Sequence, residues 1–394
     1  MKKSKIRGLW YLLFVLACLL SGCGKAVGDG FEGDYYEAED AGFKDMYHMR
    51  YQDGYLYYTK GGNLCRKPLD ISGEGLGDGQ EEFVYGGMDA LNDFVVVNGD
   101  IYCFFIKYSM GKGFQTNITG AALTKIRTDG TVAYELPVED VDTGQYLNES
   151  LLAAGGDGSI FLFSGSTVYV LEGEDGFSDM LDIGEVAPGG KGVGEQILEG
   201  DDGRVYCHIK RPGNNMIFEV AKDGSSYALK KMSGEEWETA NAEDGDLFSS
   251  PWGLLSNGPE GILRQYSGAD GCWRDVLNWS ACNLGGNVTN VMQLSEEKLL
   301  VTLYDSTEHK NRTYVLDRKG ADEVPEREEL VLACYEDMAV YLEEQVAAFN
   351  RENEKYRVVI QVYQGEEGMT RLDADLVSSV LQNRVELLLQ EENF

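Results

Sequence analysis

The side chains able to do chemistry are few and scattered. His48, His208 and His309 are the only histidines, and they stand far apart in different strand-rich segments. No Gly-x-Ser-x-Gly elbow and no P-loop occurs, so nucleophilic triads and nucleotide hydrolysis have no support. Acidic residues are abundant, with 67 Asp and Glu, and only geometry could single out a general acid and base among them. Asp140-Val141-Asp142-Thr143-Gly144 opens like a calcium loop but lacks the later ligands, and reads as a turn. Cys65, Cys103, Cys207, Cys272, Cys282 and Cys334 show no CxxC spacing and no histidine cluster beside them. Most sit in apolar strand-like runs, such as IYCFF and VYCHI, and read as buried, inert thiols; Cys272 and Cys282 are the best placed for a disulfide. The pattern therefore predicts no catalytic residue, no metal and no cofactor. One short constellation suits ligand contact: Tyr335, Glu336 and Asp337. An aromatic ring can stack on a sugar, and two carboxylates accept hydrogen bonds from hydroxyls or an amine. The same two acids would serve equally well to cap a helix.

The surrounding residues predict a β-α-β unit that positions this trio. Leu330 to Tyr335 (LVLACY) is a near-continuous apolar strand of the parallel, buried type. Met338, Leu342, Val346 and Phe349 then recur on one helical face, with Asp337 placed as the cap. Asn350 to Lys355 stops the helix, Tyr356 to Tyr363 (YRVVIQVY) forms a second strand, and Thr370 to Ser379 starts another helix. In an open α/β sheet, ligands bind outside the carboxyl ends of the strands, which puts the trio at the first strand's exit. The segment LVLACYEDMAVYLEEQVAAFNRENEKYRVVIQVY, followed by TRLDADLVSS, resembles the opening of the family 1 extracellular solute-binding proteins. The resemblance implies a lipid-anchored receptor of an ABC importer that takes sugars or peptides. It lapses after Ser379, where VLQNRVELLLQEENF replaces the Gly-containing turn and Pro-Asp strand of the family. Residues 330–394 are thus expected to be a truncated piece of that domain, unable to close on a solute between two lobes.

Ahead of it, residues 45–320 repeat one pattern: a Gly-containing turn, an alternating aromatic and β-branched strand, another turn, another strand. Six hairpins result: Tyr55 to Leu69, Ile101 to Arg127, Ile160 to Glu172, Val205 to Ala221, Ile262 to Leu277, and Leu299 to Asp317. Asp53-Gly54, Asn98-Gly99, Asp157-Gly158, Asp202-Gly203 and Glu260-Gly261 lead several of them, and the starts lie 46, 59, 45, 57 and 37 residues apart. That period fits four-stranded propeller blades. Phe94 to Val97 and Thr131 to Leu136 would supply outer strands. The fold expected is mainly β, a β-propeller-like repeat of six to eight blades followed by a short α/β fragment; a pair of β-sandwiches or a β-solenoid is the alternative. The segment resembles the divergent six- to eight-bladed propellers of bacterial surface proteins, in architecture only, since no blade carries a Trp-Asp or kelch signature. Trp237, Trp252, Trp273 and Trp279 are candidates either to stack on a sugar or to pack blades together.

The first 22 residues read as a secretory signal. Lys2, Lys3, Lys5 and Arg7 precede the uncharged run Leu9 to Leu20, which is too short for a good spanning helix. Leu20-Ser21-Gly22-Cys23 resembles a bacterial lipobox, which implies a lipid on Cys23 and anchoring to the extracellular face of the cell membrane. Residues 23–44 are acidic, Gly-rich and aperiodic, as in a flexible tether, and residues 321–329, with Pro325, read as a linker. Without residues 1–22 the chain keeps 30 Lys and Arg against 67 Asp and Glu, a net charge of −37. Such a surface repels nucleic acid and anionic lipid. The expected function is a lipid-anchored solute-binding protein, partnered by an ABC permease, with a small sugar or peptide as ligand. The alternative is a propeller lipoprotein that binds glycan or protein as an adhesion module. Replacing Cys23 with Ala is expected to release the protein to the medium or leave it unprocessed; unchanged membrane retention on detergent-phase partitioning contradicts the lipobox reading.

Overall fold

A computed structural model describes residues 34–363 and 387–388, apart from 73–75, 88, 111–115, 140–150, 175, 187–193, 211–215, 233–245, 258–260, 269–270, 306–308, 321–322, 324–326 and 364–386. Its first strand, β1 (Tyr35–Asp40), joins the sheet formed last. Blade 1 contains β2 (Tyr47–Gln52), β3 (Tyr55–Lys60), β4 (Asn63–Asp70), β5 (Gly77–Asp78) and β6 (Glu82–Tyr85). Blade 2 contains β7 (Ala90–Val97), β8 (Asp100–Met110), β9 (Thr116–Arg127) and β10 (Val132–Val138). Blade 3 is β11 (Leu152–Ala154), β12 (Ile160–Ser164), β13 (Thr167–Leu171) and β14 (Phe177–Asp182). Blade 4 is β15 (Gly194–Glu199), β16 (Val205–Lys210), β17 (Met216–Asp223) and β18 (Ser226–Lys231). Blade 5 is β19 (Asp246–Phe248), β20 (Leu254–Asn257), β21 (Ile262–Ser267) and β22 (Cys272–Asn278). Blade 6 is β23 (Asn287–Ser295), β24 (Lys298–Asp305) and β25 (Lys310–Lys319), with β1 as its fourth strand. The fold is mainly β, a six-bladed β-propeller.

Local chemistry makes each blade a meander. Asp53-Gly54, between β2 and β3, and Asn98-Gly99, between β7 and β8, hold φ of 50° and 78°, and of 52° and 80°. Two successive left-handed residues form the tight turn whose twist suits an antiparallel pair. The Asp-Gly and Asn-Gly cues thus mark the step from a blade's innermost strand to its second.

The ring closes through its interfaces. Six apolar clusters lie between adjacent blades, and each joins one pair: Leu64 with Phe94, Phe104 with Leu162, Phe163 with Phe218, Leu198 with Leu254, Leu277 with Leu299, and Leu300 with Leu56. The last joins blade 6 to blade 1.

Some expectations need correction. Residues 94–97 belong to the innermost strand of blade 2, not an outer one; β7 is buried from Leu91 to Val96 because both of its faces meet neighbouring blades. Residues 131–136 do correspond to an outer strand, β10. The Ile262 to Leu277 hairpin is the outer pair of blade 5; the short β20 (LLSN) escaped notice, and with it the true repeat. Second strands begin at residues 55, 100, 160, 205, 254 and 298, a more even period than the hairpin starts gave. Finally, residues 35–40 are no tether. Tyr36 is 3% exposed in the cluster between blades 5 and 6, and β1 pairs along its length with β25.

The α/β unit has the expected order. The parallel strands β26 (Glu328–Tyr335) and β27 (Tyr356–Tyr363) flank the helix Glu336–Glu352, and β28 (Leu387–Leu388) pairs in parallel on the other side of β26. Leu330, Leu332, Val346 and Val358 form its core, with Leu342 and Phe349 packed against them. Asn350 is fully buried and ties the helix end to β27: its Nδ2 donates to Val358 O (2.9 Å), and Val358 N–H donates to its Oδ1 (2.7 Å). The strand starts at Glu328, inside the span read as linker.

Truncating Tyr36 to Ala leaves a cavity between blades 5 and 6 and weakens the strand that completes the ring. A loss of about 3 kcal/mol in unfolding free energy is expected, measured by urea titration; a loss within error would mean that β1 does not secure the propeller.

Candidate functional site

Tyr335 ends β26, and Glu336 and Asp337 open the helix, so the structure brings the predicted trio together in backbone position at the carboxyl end of a parallel strand. The helix starts at Glu336, one residue before the expected cap, so both acids stand in its first turn, where negative charge is favoured by the helix dipole. The sheet order is β27-β26-β28. The chain therefore leaves β26 toward one side for β27 and later returns on the other side for β28. In doubly wound sheets this reversal opens a crevice at the carboxyl ends of the strands. Cys23, residues 140–144, Trp237 and residues 370–379 lie outside the described residues.

A second constellation went unrecognised in the sequence. Arg50 on β2 reaches across the propeller axis. Its Nη2 donates to Leu152 O of blade 3 (2.8 Å) and lies 3.5 Å from Asp93 Oδ2 of blade 2, while Nη1 lies 3.5 Å from Glu199 Oε1 of blade 4. Blades 1 and 4 are opposite one another in a ring of six, so the Arg50–Glu199 contact spans the central channel. Asp93 Oδ2 also accepts from Leu151 and Leu152 N–H, both at 2.8 Å, and Oδ1 accepts from Phe94 N–H at 2.8 Å. Glu199 Oε1 accepts from Ala154 N–H (2.8 Å), and Glu199 N–H donates to Ser249 Oγ (3.0 Å). Ser250 Oγ donates to Gln293 Oε1 of blade 6 (2.7 Å). Every blade thus contributes to a polar belt on the innermost strands. The signal was present: a lone acid inside the apolar run ALNDFVVV must be buried, and a buried charge requires partners.

The belt is architectural rather than reactive, because both oxygens of Asp93 are engaged. Two carboxylates share one phenol at the blade 3–4 interface. Tyr227 Oη contacts Glu172 Oε1 (3.0 Å), Asp157 Oδ2 (3.4 Å) and Ser159 Oγ (3.1 Å), and Lys222 pairs with Glu172. Hydrogen bonds from Lys222 and Tyr227 hold the Glu172 carboxyl below its usual range. Burial works to raise Asp157, yet hydrogen bonds from Ser159 bring it below its usual range as well. Burial raises the Tyr227 phenol. A general acid needs a carboxyl pushed up toward neutrality, and here both are pushed down. The arrangement ties two blades together.

The other singled-out residues are structural. Trp279 is buried and donates from Nε1 to Asn257 Oδ1 (2.7 Å); Trp273 packs on Tyr266 with ring centroids 5.3 Å apart; Trp252 is half-buried. Trp273 and Trp279 fit the packing alternative and are not exposed stacking platforms. Cys272 is exposed and Cys282 buried, and neither is in a disulfide; Cys65, Cys103, Cys207 and Cys334 are buried free thiols. Burial raises the Cys282 thiol to about 12 and Cys103 well above its usual value. His208 is fully buried on β16, where its Nδ1 meets Gln196 Oε1 at 3.1 Å. Among the described residues no His, Cys, Asp and Glu group is placed to hold a metal ion.

No family model and no curated protein matches the chain. Solved structures similar to it include a putative oxidoreductase (glucose dehydrogenase) from Thermus thermophilus, at 15% identity and a TM-score of 0.42, covering 71% of this chain and 99% of that one. A putative 6-phosphogluconolactonase from Bacteroides fragilis is 13% identical with a TM-score of 0.40, over 66% and 77% of the two chains. Apo AztD from Citrobacter koseri is 12% identical with a TM-score of 0.37, over 68% and 85%. Likenesses this distant carry no activity across.

Two outcomes are expected. Arg50→Met strands Asp93 and Glu199 without their cation and should cost about 3 kcal/mol by urea unfolding; a change within error would show the belt to be dispensable. His208 is the second. Burial lowers its pKa from 6.5 to about 3, so between those values the unfolded chain takes up a proton that the native site refuses. Its stability contribution is present above pH 6.5 and is lost as pH falls toward 3. Between about pH 7 and 4.5 the wild-type urea midpoint should fall further than that of His208→Asn; parallel falls would remove His208 from the acid response.

Proposed function

We propose that the protein is an extracellular lipoprotein, held to the bacterial cell membrane through Cys23, and that it works by binding rather than by catalysis. Its α/β unit takes a small sugar or peptide at the carboxyl end of β26, and the propeller is the rigid body that carries that unit. An ABC permease is the partner this reading implies. The observation that carries it is the strand order β27-β26-β28, with Tyr335, Glu336 and Asp337 at the carboxyl end of the central strand. Tyr335 supplies a ring for stacking, and the two acids supply acceptors for hydroxyl or ammonium groups. Among the described residues the sheet has three strands, and its carboxyl edge supplies one wall of such a site.

The test is a titration of the isotopically labelled mature chain with maltotriose and with trialanine, followed by amide chemical shifts. Shifts confined to the β26–helix junction, and lost in Tyr335→Ala and in Glu336→Gln/Asp337→Asn, are the expected result. Shifts that fall on the propeller and persist in both variants would overturn it and leave the propeller as the binding module.

A further inference from the structure

The strand that closes the propeller also fixes where its two attachments leave it. In the β1–β25 ladder Tyr35 lies opposite Lys319. The first residue of the closing strand and the last residue of blade 6 are therefore cross-strand neighbours, on the order of 5 Å apart between Cα atoms. The chain enters the propeller at Tyr35 and leaves it at Lys319, so both attachments emerge from one point on the outer edge of blade 6. Only residues 320–327 separate β25 from β26, which keeps the α/β unit beside that point. A hydrogen bond holds it there: Arg351, in the last turn of the helix, donates from Nη1 to Asn283 O (2.7 Å) in the loop joining blades 5 and 6. The Tyr35 phenol registers the same proximity. Burial raises its pKa, and the charges of Arg327 in the connector and Arg357 on β27 oppose the rise.

Cys23 stands only eleven residues, 24–34, ahead of Tyr35. A stretch of that length spans at most ~40 Å when fully extended, and about 18 Å on average as a flexible coil. We infer that the outer edge of blade 6, with the α/β unit docked beside it, is the surface that faces the lipid bilayer, and that blade 3, opposite in the ring, points away from it. The inference rests on the lipid reading of Cys23. Ion pairs also occur at the junction. Arg318 pairs with Asp34 (3.5 Å), Lys319 with Glu37 (3.1 Å) and Arg357 with Glu329 (3.8 Å). Each of these pairs neutralises an acid near the junction in a mature chain of net charge −37. The consequence for function is direct: the α/β unit that carries the carboxyl end of β26 is held on the side of the propeller that faces the membrane.

Energy transfer from a dye on the protein to rhodamine-labelled headgroups tests this, with lipidated protein bound to phosphatidylethanolamine/phosphatidylglycerol vesicles. Cys272→Ser removes the exposed thiol, and the other described cysteines are buried. The dye is then placed at Glu354→Cys on the α/β unit or at Met180→Cys on blade 3, both exposed positions. Severalfold higher transfer from position 354 than from position 180 is expected, and Cys23→Ala should abolish transfer from both. Equal or reversed transfer in vesicle-bound protein overturns the orientation while leaving the anchor intact. Failure of the unsubstituted protein to bind vesicles overturns the anchor, and the orientation with it.

Discussion

A ring of sheets needs something to hold its two ends together, and here six residues do it. Tyr35–Asp40 pairs with β25, so the last blade is built from both ends of the propeller segment. Without β1, blade 6 would have three strands, β25 would expose an unpaired edge, and the cluster around Leu277 and Leu299 would lose Tyr36. Exposed strand edges invite pairing with other chains. The closing strand thus does two jobs at once: it completes a core and it covers an edge.

At the centre the constraint is electrostatic rather than apolar. The innermost strands converge, and their polar groups must find partners with little water to help. Asp93 is 3% exposed as a residue, and its charge is tolerable because three backbone N–H groups and Arg50 surround it. The backbone donors come from two blades and the guanidinium from a third. Satisfying one carboxylate therefore fixes the relative positions of blades 1, 2 and 3. The Glu199 carboxylate repeats the device for blades 1, 3 and 4, and its backbone N–H adds a bond to Ser249 of blade 5. Apolar clusters between blades are tolerant of sliding, because dispersion has no direction. Hydrogen bonds to charged groups are directional and strong, so the belt supplies the registry that the clusters lack.

How far the sequence disclosed this fold can be argued from individual strands. Turns were legible wherever two left-handed residues were needed, because Asp53-Gly54 and Asn98-Gly99 supply them with little strain. Blade 5 was misread because β20 is only four residues, LLSN, with no alternation to betray it. β1 was missed for a different reason. In YYEAED only Tyr36 is buried and the acids point outward, as an outermost strand allows, so the segment looks like solvated chain until its partner is known. The belt was invisible because its members are single polar residues on different strands, brought together only by ring closure. The trio at 335–337 was legible because a parallel strand followed by an amphipathic helix fixes local geometry without long-range information.

The same contrast separates the two units in kind. In the propeller, polar side chains are engaged with one another: Lys125 with Asp100 and Glu174, Lys298 with Asp317, Arg264 with Asp275. Burial of the amine works against the charge on Lys125, yet its two carboxylates raise its pKa above the usual lysine value, which marks a cation locked in place rather than poised to react. Ion pairs of this kind tie neighbouring strands and blades together. In the α/β unit the buried side chain of Asn350 is also consumed by structure, but at the amino end of β27, away from the carboxyl edge. At the opposite edge Tyr335, Glu336 and Asp337 stand at a strand's carboxyl end, next to a reversal of strand order.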